Sequence, residues 1–242
     1  MIPAQHSFEP ADIATSSADY AKRFAGEIGE WLIEVQSSFF SSLLLDLSAH
    51  TALDVGGGHG QLVEPLSNAH IQVTVLGSDE RCKEQLQKLI QNKQCLFKVG
   101  SLTQIPEADK SYDLTTCIRF ISHCEDWRTL IAELCRVAKQ GVIIDYPPLL
   151  SGNLLAPITF RIKKLIEGNT RPFSIFTHAE ICSEFERHGF TLKKRQGLFF
   201  FPMGLHRLLK RRKLSSTLEN LAQTVTLRSF LGSPTLALFV PK

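Results

Sequence analysis

The sequence predicts an α/β fold, doubly wound around a mostly parallel sheet, and three observations carry that expectation. From Thr51 onward, short apolar runs of strand character alternate with segments of helical periodicity, the pattern of a parallel sheet covered on both faces. The first run ends in Gly56-Gly57-Gly58-His59-Gly60, a strand-to-helix turn that lets a backbone approach a ligand closely. The 242 residues hold 43% hydrophobic and 21% charged side chains, with 15 Gly and 11 Pro, which excludes disordered, collagen-like and low-complexity chains. A chain of this length makes one full domain.

Residues 1–15 show little pattern and read as a loose tail. Phe24, Ile28, Trp31, Leu32 and Val35 recur at helical spacing, so an amphipathic helix is expected over about residues 17–36. Phe39 to Leu47 either continues it or forms a second helix. Ala52 to Val55 is a short buried strand, Gln61 to Asn68 a helix and Ile71 to Leu76 a second strand. Glu80 to Gln91 reads as a helix; Cys95 to Val99 and Tyr112 to Cys117 read as strands. Asp126 stands where it caps a helix whose Leu130, Ile131, Leu134 and Val137 share one face. Val142-Ile143-Ile144 is the fifth strand, stopped by Pro147-Pro148. Residues 149–173 take no assignment. Thr177-His178-Ala179-Glu180 is a capping box opening a helix that buries Ile181 and Phe185 and stops at Gly189. Phe190 to Phe201 is a long strand region. Ser216-Thr217-Leu218-Glu219 reads as a second capping box, before a helix carrying Leu218, Leu221, Ala222 and Val225. Leu236 to Val240 is the last strand.

No apolar run approaches the roughly 18–20 residues that span a bilayer, and Met1 to His6 has neither a basic nor an apolar leader region. A soluble, cytoplasmic protein is expected. The six cysteines, at 82, 95, 117, 124, 135 and 182, show no C-x-x-C and no ligand-like pairing with histidine, so they read as reduced core residues and no metal site is expected.

The glycine loop narrows the ligand. A dinucleotide fingerprint starting at Gly56 requires Gly or Ala at position 61, where Gln61 stands, and a phosphate loop of the G-x-x-x-x-G-K-[ST] kind is absent. Asp54, at the end of the strand before the loop, repels a pyrophosphate but suits a ligand with an ammonium group. Its alternative role is a capping carboxylate that touches no ligand.

The run Asp54, Gly56, Gly58, Gly60 resembles the first motif, acid-x-G-x-G-x-G, of the class I S-adenosylmethionine-dependent methyltransferases. Asp79, in Val75-Leu76-Gly77-Ser78-Asp79-Glu80, stands where that family has the acid for the two ribose hydroxyls, with Glu80 one residue beyond as the alternative. Tyr112-Asp113-Leu114 and Glu133-Leu134-Cys135-Arg136-Val137 resemble the family's F-D-x-V and E-x-x-R-V runs. The resemblance covers about residues 50–146. It implies a Rossmann-like methyltransferase fold with a seven-stranded sheet over residues 49–242, a helical cap over residues 1–48, and S-adenosyl-L-methionine as cofactor. Asp54, Gly56, Gly58 and Gly60 then border the methionine end and Asp79 holds the ribose. Ser101 replaces the usual acid toward adenine beside Leu102, and Ile118 follows the fourth strand into the site. Tyr20 and Arg23 either close over the cofactor and meet its carboxylate or lie on an exposed helix face. His123 is the candidate general base, with a structural role as its alternative. Trp31 and Trp127 read as packing residues. The insertion 147–173, ending in Arg171-Pro172-Phe173, is expected to build part of the acceptor pocket.

Charge is unevenly spread. Arg187 to Lys213 holds nine Lys and Arg and no Asp or Glu, a segment of +9, while the rest of the chain, with 18 basic against 24 acidic residues, stands at −6. Leu205, Leu208 and Leu209 share one helical face with cations around it. The segment fits an anionic membrane surface, holds nucleic-acid phosphates, or is a solvated helix packed by its leucines, with nucleic acid ranked below the membrane. The expected function is methyl transfer to a small-molecule or lipid-precursor acceptor. The alternatives are an RNA methyltransferase using the basic segment 187–213 and a non-catalytic binding protein that keeps the fold and the cofactor pocket.

Overall fold

The computed structural model describes residues 11–151, 173–224 and 226–242. Val225 and most of the insertion 147–173, with Arg171 and Pro172, lie outside the described residues. Seven strands form one sheet: β1 (Thr51–Val55), β2 (Gln72–Gly77), β3 (Cys95–Val99), β4 (Tyr112–Cys117), β5 (Ala138–Tyr146), β6 (Phe190–Gly197) and β7 (Thr235–Pro241), in the order β3-β2-β1-β4-β5-β7-β6. All pairs from β3 to β5 are parallel, and β7 runs antiparallel to both β5 and β6. The mostly parallel, doubly wound sheet is the one the alternation predicts.

Side-chain alternation divides the core. Val142 and Ile144 of β5, with Ala237 and Phe239 of β7, point to one face, and Ile143, Leu236 and Leu238 point to the other, as a period of two requires. The first face is covered by α6 (Trp127–Val137) and α7 (His178–Arg187) through Leu130, Leu134, Ile181 and Phe185. The second is covered by α3 (Gly26–Leu44) and α4 (Val63–Asn68) through Leu32, Phe40, Leu43 and Leu66. Trp31 and Trp127 are both buried among these packing residues. The short α5 (Gln87–Gln91) follows a 3₁₀ turn over Glu80–Leu86.

The single helix expected over 17–36 is broken. The short helices α1 (Ala11–Thr15) and α2 (Ala18–Ala21) and a 3₁₀ turn over Lys22–Phe24 precede α3. Gly26 sits at φ +74, a left-handed conformation that ends one helix and re-aims the next. Gly29 lets the backbone of Phe24 fold against α3, since a Cβ there would lie 2.1 Å from the Phe24 carbonyl carbon. Phe39 to Leu44 continues α3.

The E-x-x-R run has a structural reason. Arg136 donates to Glu133, to Asp109 and to the carbonyls of Ile105 and Glu107, while Glu133 accepts from the Ile105 N–H at 2.6 Å. One helix thereby holds the loop between β3 and β4.

The C-terminal region departs most from expectation. β6 stops at Gly197, and α8 (Met203–Leu209), α9 (Arg212–Thr224) and α10 (Leu227–Leu231) follow. Lys210 adopts φ 51 and ends α8, so the basic segment is not one helix: its charges are spread over the end of α7, the edge strand β6 and the α8–α9 turn. The second capping box is not formed, because Ser216 lies inside α9. Glu219 instead faces inward and accepts from the Phe200 N–H (2.9 Å), the Phe201 N–H (3.0 Å) and His206 Nε2 (2.9 Å).

Candidate functional site

β1 and β4 are neighbours, while the chain reaches β2 on one side and β5 on the other, so their C-terminal ends flank the topological switch point where ligands bind in open α/β sheets. An open cleft lies there. Asp54, Gly56 and Gly57, Ile118 and Arg119, and Tyr20 and His59 line it.

The glycine loop is held open by two different demands. Gly56 and Gly60 sit at φ +75 and +66, which side chains resist. Gly57 and Gly58 are required by space: a Cβ at Gly57 would lie 1.8 Å from Asp54 Oδ2, and one at Gly58 would lie 1.9 Å from Ser16 Oγ. Asp54 is buried, accepts from Thr116 Oγ1 at 2.8 Å, and is pushed up to about 6 by burial, a rise the Thr116 bond partly offsets.

Arg119 and Asp145 were not singled out from the sequence. Arg119 sits at φ 62; its N–H donates to Asp145 Oδ1 at 2.6 Å and its Nε to Gln36 Oε1 at 3.0 Å. Its guanidinium lies 3.8 Å over the Phe24 ring, and its buried Nη1 has no partner among the described residues. Burial pulls its pKa down, and Asp145 is pushed up to about 6 by burial, partly offset by the Arg119 N–H and charge. His59 packs on Tyr20 with ring centroids 5.4 Å apart, leaves Nε2 buried and unpartnered, and is held toward its neutral form by burial. The signals available were positional: Arg119 two residues past β4, and Asp145 near the end of β5.

The structure brings Asp54, Gly56, Ile118 and Tyr20 together at the cleft, with Gly58 and Gly60 in the adjoining loop. Asp79 lies at the surface end of β2, where it caps the following turn and pairs with Arg81 at 3.0 Å. Ser101 is exposed and its hydroxyl accepts from the Gln104 N–H, while Leu102 is buried. Arg23 is exposed, 4.9 Å from the Tyr20 ring. His123 ends the 3₁₀ turn after β4 and meets Phe173 edge-on at 5.5 Å.

One group lies where none was expected. Asp12 of α1 is fully buried and accepts from the Ser78 N–H and Oγ, both at 2.6 Å. With Ser16 against Gly58, α1 crosses the gap between the glycine loop and the end of β2, where the resemblance would place a nucleoside.

The two raised carboxyl groups predict a pH dependence. An unfolded aspartate titrates near 3.9; with a folded value of about 6, Asp54 favours the folded state fully below about pH 4 and loses that contribution as pH rises through 6. Asp54→Asn removes the titration while keeping an acceptor for Thr116. Urea unfolding at pH 4 and 7.5 should show the variant gaining on the parent by up to roughly 3 kcal/mol at the higher pH. An unchanged difference would place Asp54 in a wetter environment.

The model of the family described as "Methyltransferase domain" matches residues 53–144. The chain is 28% identical over 143 residues to a demethylmenaquinone methyltransferase of Deinococcus radiodurans, covering 52% of this chain and 58% of that one. It is 31% identical over 105 residues to a ubiquinone biosynthesis O-methyltransferase of Xanthomonas oryzae, covering 42% and 44%. It thus spans between about two fifths and three fifths of the length of these curated relatives. Among solved structures, magnesium protoporphyrin IX methyltransferase from Synechocystis with bound SAH superposes with a TM-score of 0.66 and 17% identity over 96% of this chain and 98% of that one. Glycine loop, sheet order and sequence match agree: residues 53–144 match the methyltransferase domain family, and the chain has the fold of the solved methyltransferase structures.

Proposed function

We propose that the protein transfers a methyl group from S-adenosylmethionine to a small-molecule acceptor. The observation that carries this is the cleft at the ends of β1 and β4, where Asp54, a glycine cradle and the unpartnered Nη1 of Arg119 converge. That donor set fits the amino-acid end of the cofactor: Asp54 for the ammonium, Arg119 for the carboxylate, and Gly57 and Gly58 for close backbone approach. Asp79 is the proposed acceptor of the ribose hydroxyls, sharing its oxygens with Arg81, and Leu102 and Ser101 are proposed for the adenine.

When bound, the cofactor supplies an electrophilic methyl on a sulfonium. The chain's part is to hold the acceptor in line and exclude water, which is worth roughly 7–11 kcal/mol of barrier in well-oriented systems. His123 and His59 are both proposed proton acceptors for a hydroxyl. What favours His59 is that it lines the cleft with a buried, unpartnered nitrogen and is held neutral. Tyr20 and Arg23 are proposed to close the methionine end.

A small-molecule or lipid-precursor acceptor is supported by the names of the relatives, demethylmenaquinone and ubiquinone biosynthesis. The second reading, a non-catalytic protein that keeps the fold, draws on Asp12 and Ser16 in the nucleoside gap. Calorimetry separates the two. The parent should bind S-adenosylhomocysteine and not NAD, and Asp79→Ala should weaken binding by at least tenfold, as loss of charge-assisted hydrogen bonds predicts. A parent that binds neither supports the second reading, and an Asp79→Ala protein that binds like the parent removes Asp79 from the site.

A further inference from the structure

Helix α9 exposes two of its three leucines. The residues it buries are Ser215, Glu219 and Ala222, whereas Leu214 and Leu221 are 43% and 66% exposed. Surface helices place their apolar stripe toward the core, and the departure here has a cause. Glu219 is committed inward as the shared acceptor of two backbone amides and His206, so the side of α9 carrying Leu214 and Leu221, seven residues apart, turns to solvent. Across the turn, Leu208 of α8 is 78% exposed. Lys210, Arg211 and Lys213 stand exposed between these leucines, Arg212 is paired with Glu34, and residues 203–218 contain no Asp or Glu.

We propose that Leu208, Leu214 and Leu221, with Lys210, Arg211 and Lys213, form a docking face for an anionic lipid bilayer. Leucines flanked by an unneutralised cationic cluster match the acyl–headgroup boundary of such a surface. A second copy of the chain meeting this face symmetrically sets the same three cations opposite themselves, which disfavours self-association. Nucleic acid uses the cations but leaves the leucines exposed to water. No helix among the described residues is long and apolar enough to cross a membrane, so contact is at the surface. The face adjoins the cleft: Arg207 of α8 donates to the Arg23 carbonyl at 3.1 Å and lies over Phe24, whose ring packs on Tyr20. A lipid-soluble acceptor leaving the bilayer would arrive beside Tyr20, a consequence that rests on the proposed methyl transfer, whereas the docking itself does not.

Flotation of the full chain with vesicles of phosphatidylglycerol and phosphatidylcholine tests the face. The parent should float with the mixed vesicles, and at least tenfold less with phosphatidylcholine alone. Leu208→Ser, Leu214→Ser and Leu221→Ser together should reduce partitioning at least tenfold with unchanged circular dichroism. Lys210→Gln, Arg211→Gln and Lys213→Gln together should remove the preference for anionic lipid, which keeps the test decisive if the serine variant misfolds. The proposal is overturned if the parent ignores the vesicles, or if the folded serine variant floats like the parent. It is also overturned if the parent sediments as a dimer that the serine substitutions split, or retains RNA while ignoring lipid.

Discussion

Glu219→Ala is expected to lower the unfolding free energy by roughly 3–5 kcal/mol, the range for removing one partner from a buried polar network. Three donors depend on this one carboxyl group: the N–H groups of Phe200 and Phe201 and the Nε2 of His206. Glu219 and His206 are both buried, and His206 packs edge-on against Trp31 at 5.1 Å, so no solvent-facing route replaces the lost acceptor. Glu219→Gln keeps one acceptor oxygen but turns an NH2 donor toward one of the buried N–H groups, so it should also destabilise, by less than the alanine variant. Urea denaturation measures both, and the alanine variant should melt on the order of 10 °C lower. A loss below about 1 kcal/mol would show that water reaches the site and serves the amides.

Gly57→Ala should weaken binding of S-adenosylhomocysteine at least 100-fold while leaving the sheet intact by circular dichroism. The added Cβ lies 1.8 Å from Asp54 Oδ2 and 2.3 Å from its Cγ. Asp54 has nowhere to retreat, being buried and tied to Thr116 at 2.8 Å. Either the carboxyl group rotates off Thr116 or the loop shifts outward, and both change the wall of the cleft. At about 1.4 kcal/mol per tenfold, the expected loss is roughly 3 kcal/mol. Gly204→Ala is the matched control, because a Cβ there meets nothing within 4 Å. An affinity within a few-fold of the parent would remove the loop from the binding site.

The sheet and its flanking helices were legible because burial on both faces leaves a continuous apolar mark. The central strands β2, β1, β4, β5 and β7 lie where the apolar runs stand, with β5 longer than Val142–Ile144 because Ala138 to Gly141 pairs with β4 through a shifted register, whereas the edge strand β6 is largely polar and stops four residues short of the expected Phe201. The capping box at Thr177 and Glu180 formed as read, both hydrogen bonds present. The one at Ser216 and Glu219 did not, since a local four-residue pattern does not reveal a tertiary demand for an acceptor under Phe200 and Phe201. The same blindness hid the exposed leucines of α9. At the site, Asp54 and the alternate glycines were legible from local spacing. Arg119, Asp145 and Asp12 were not, because each acts through a partner far off in the chain: Asp12 lies 66 residues from Ser78 and Arg119 lies 26 from Asp145. Arg119 adopts a left-handed backbone, which no side-chain pattern announces.

Under the proposed cofactor site, the position of α1 would set how tightly the nucleoside is held. While Asp12 occupies the Ser78 N–H and Ser16 rests on Gly58, the molecule would compete with a nucleoside in that gap at equal stoichiometry and without dilution. The affinity measured from outside is the intrinsic affinity multiplied by the fraction of molecules with the segment withdrawn, so a one-in-ten opening subtracts about 1.4 kcal/mol. Linkage runs in both directions: a ligand that captured the gap would also release residues 11–16, which would then report what the gap contains.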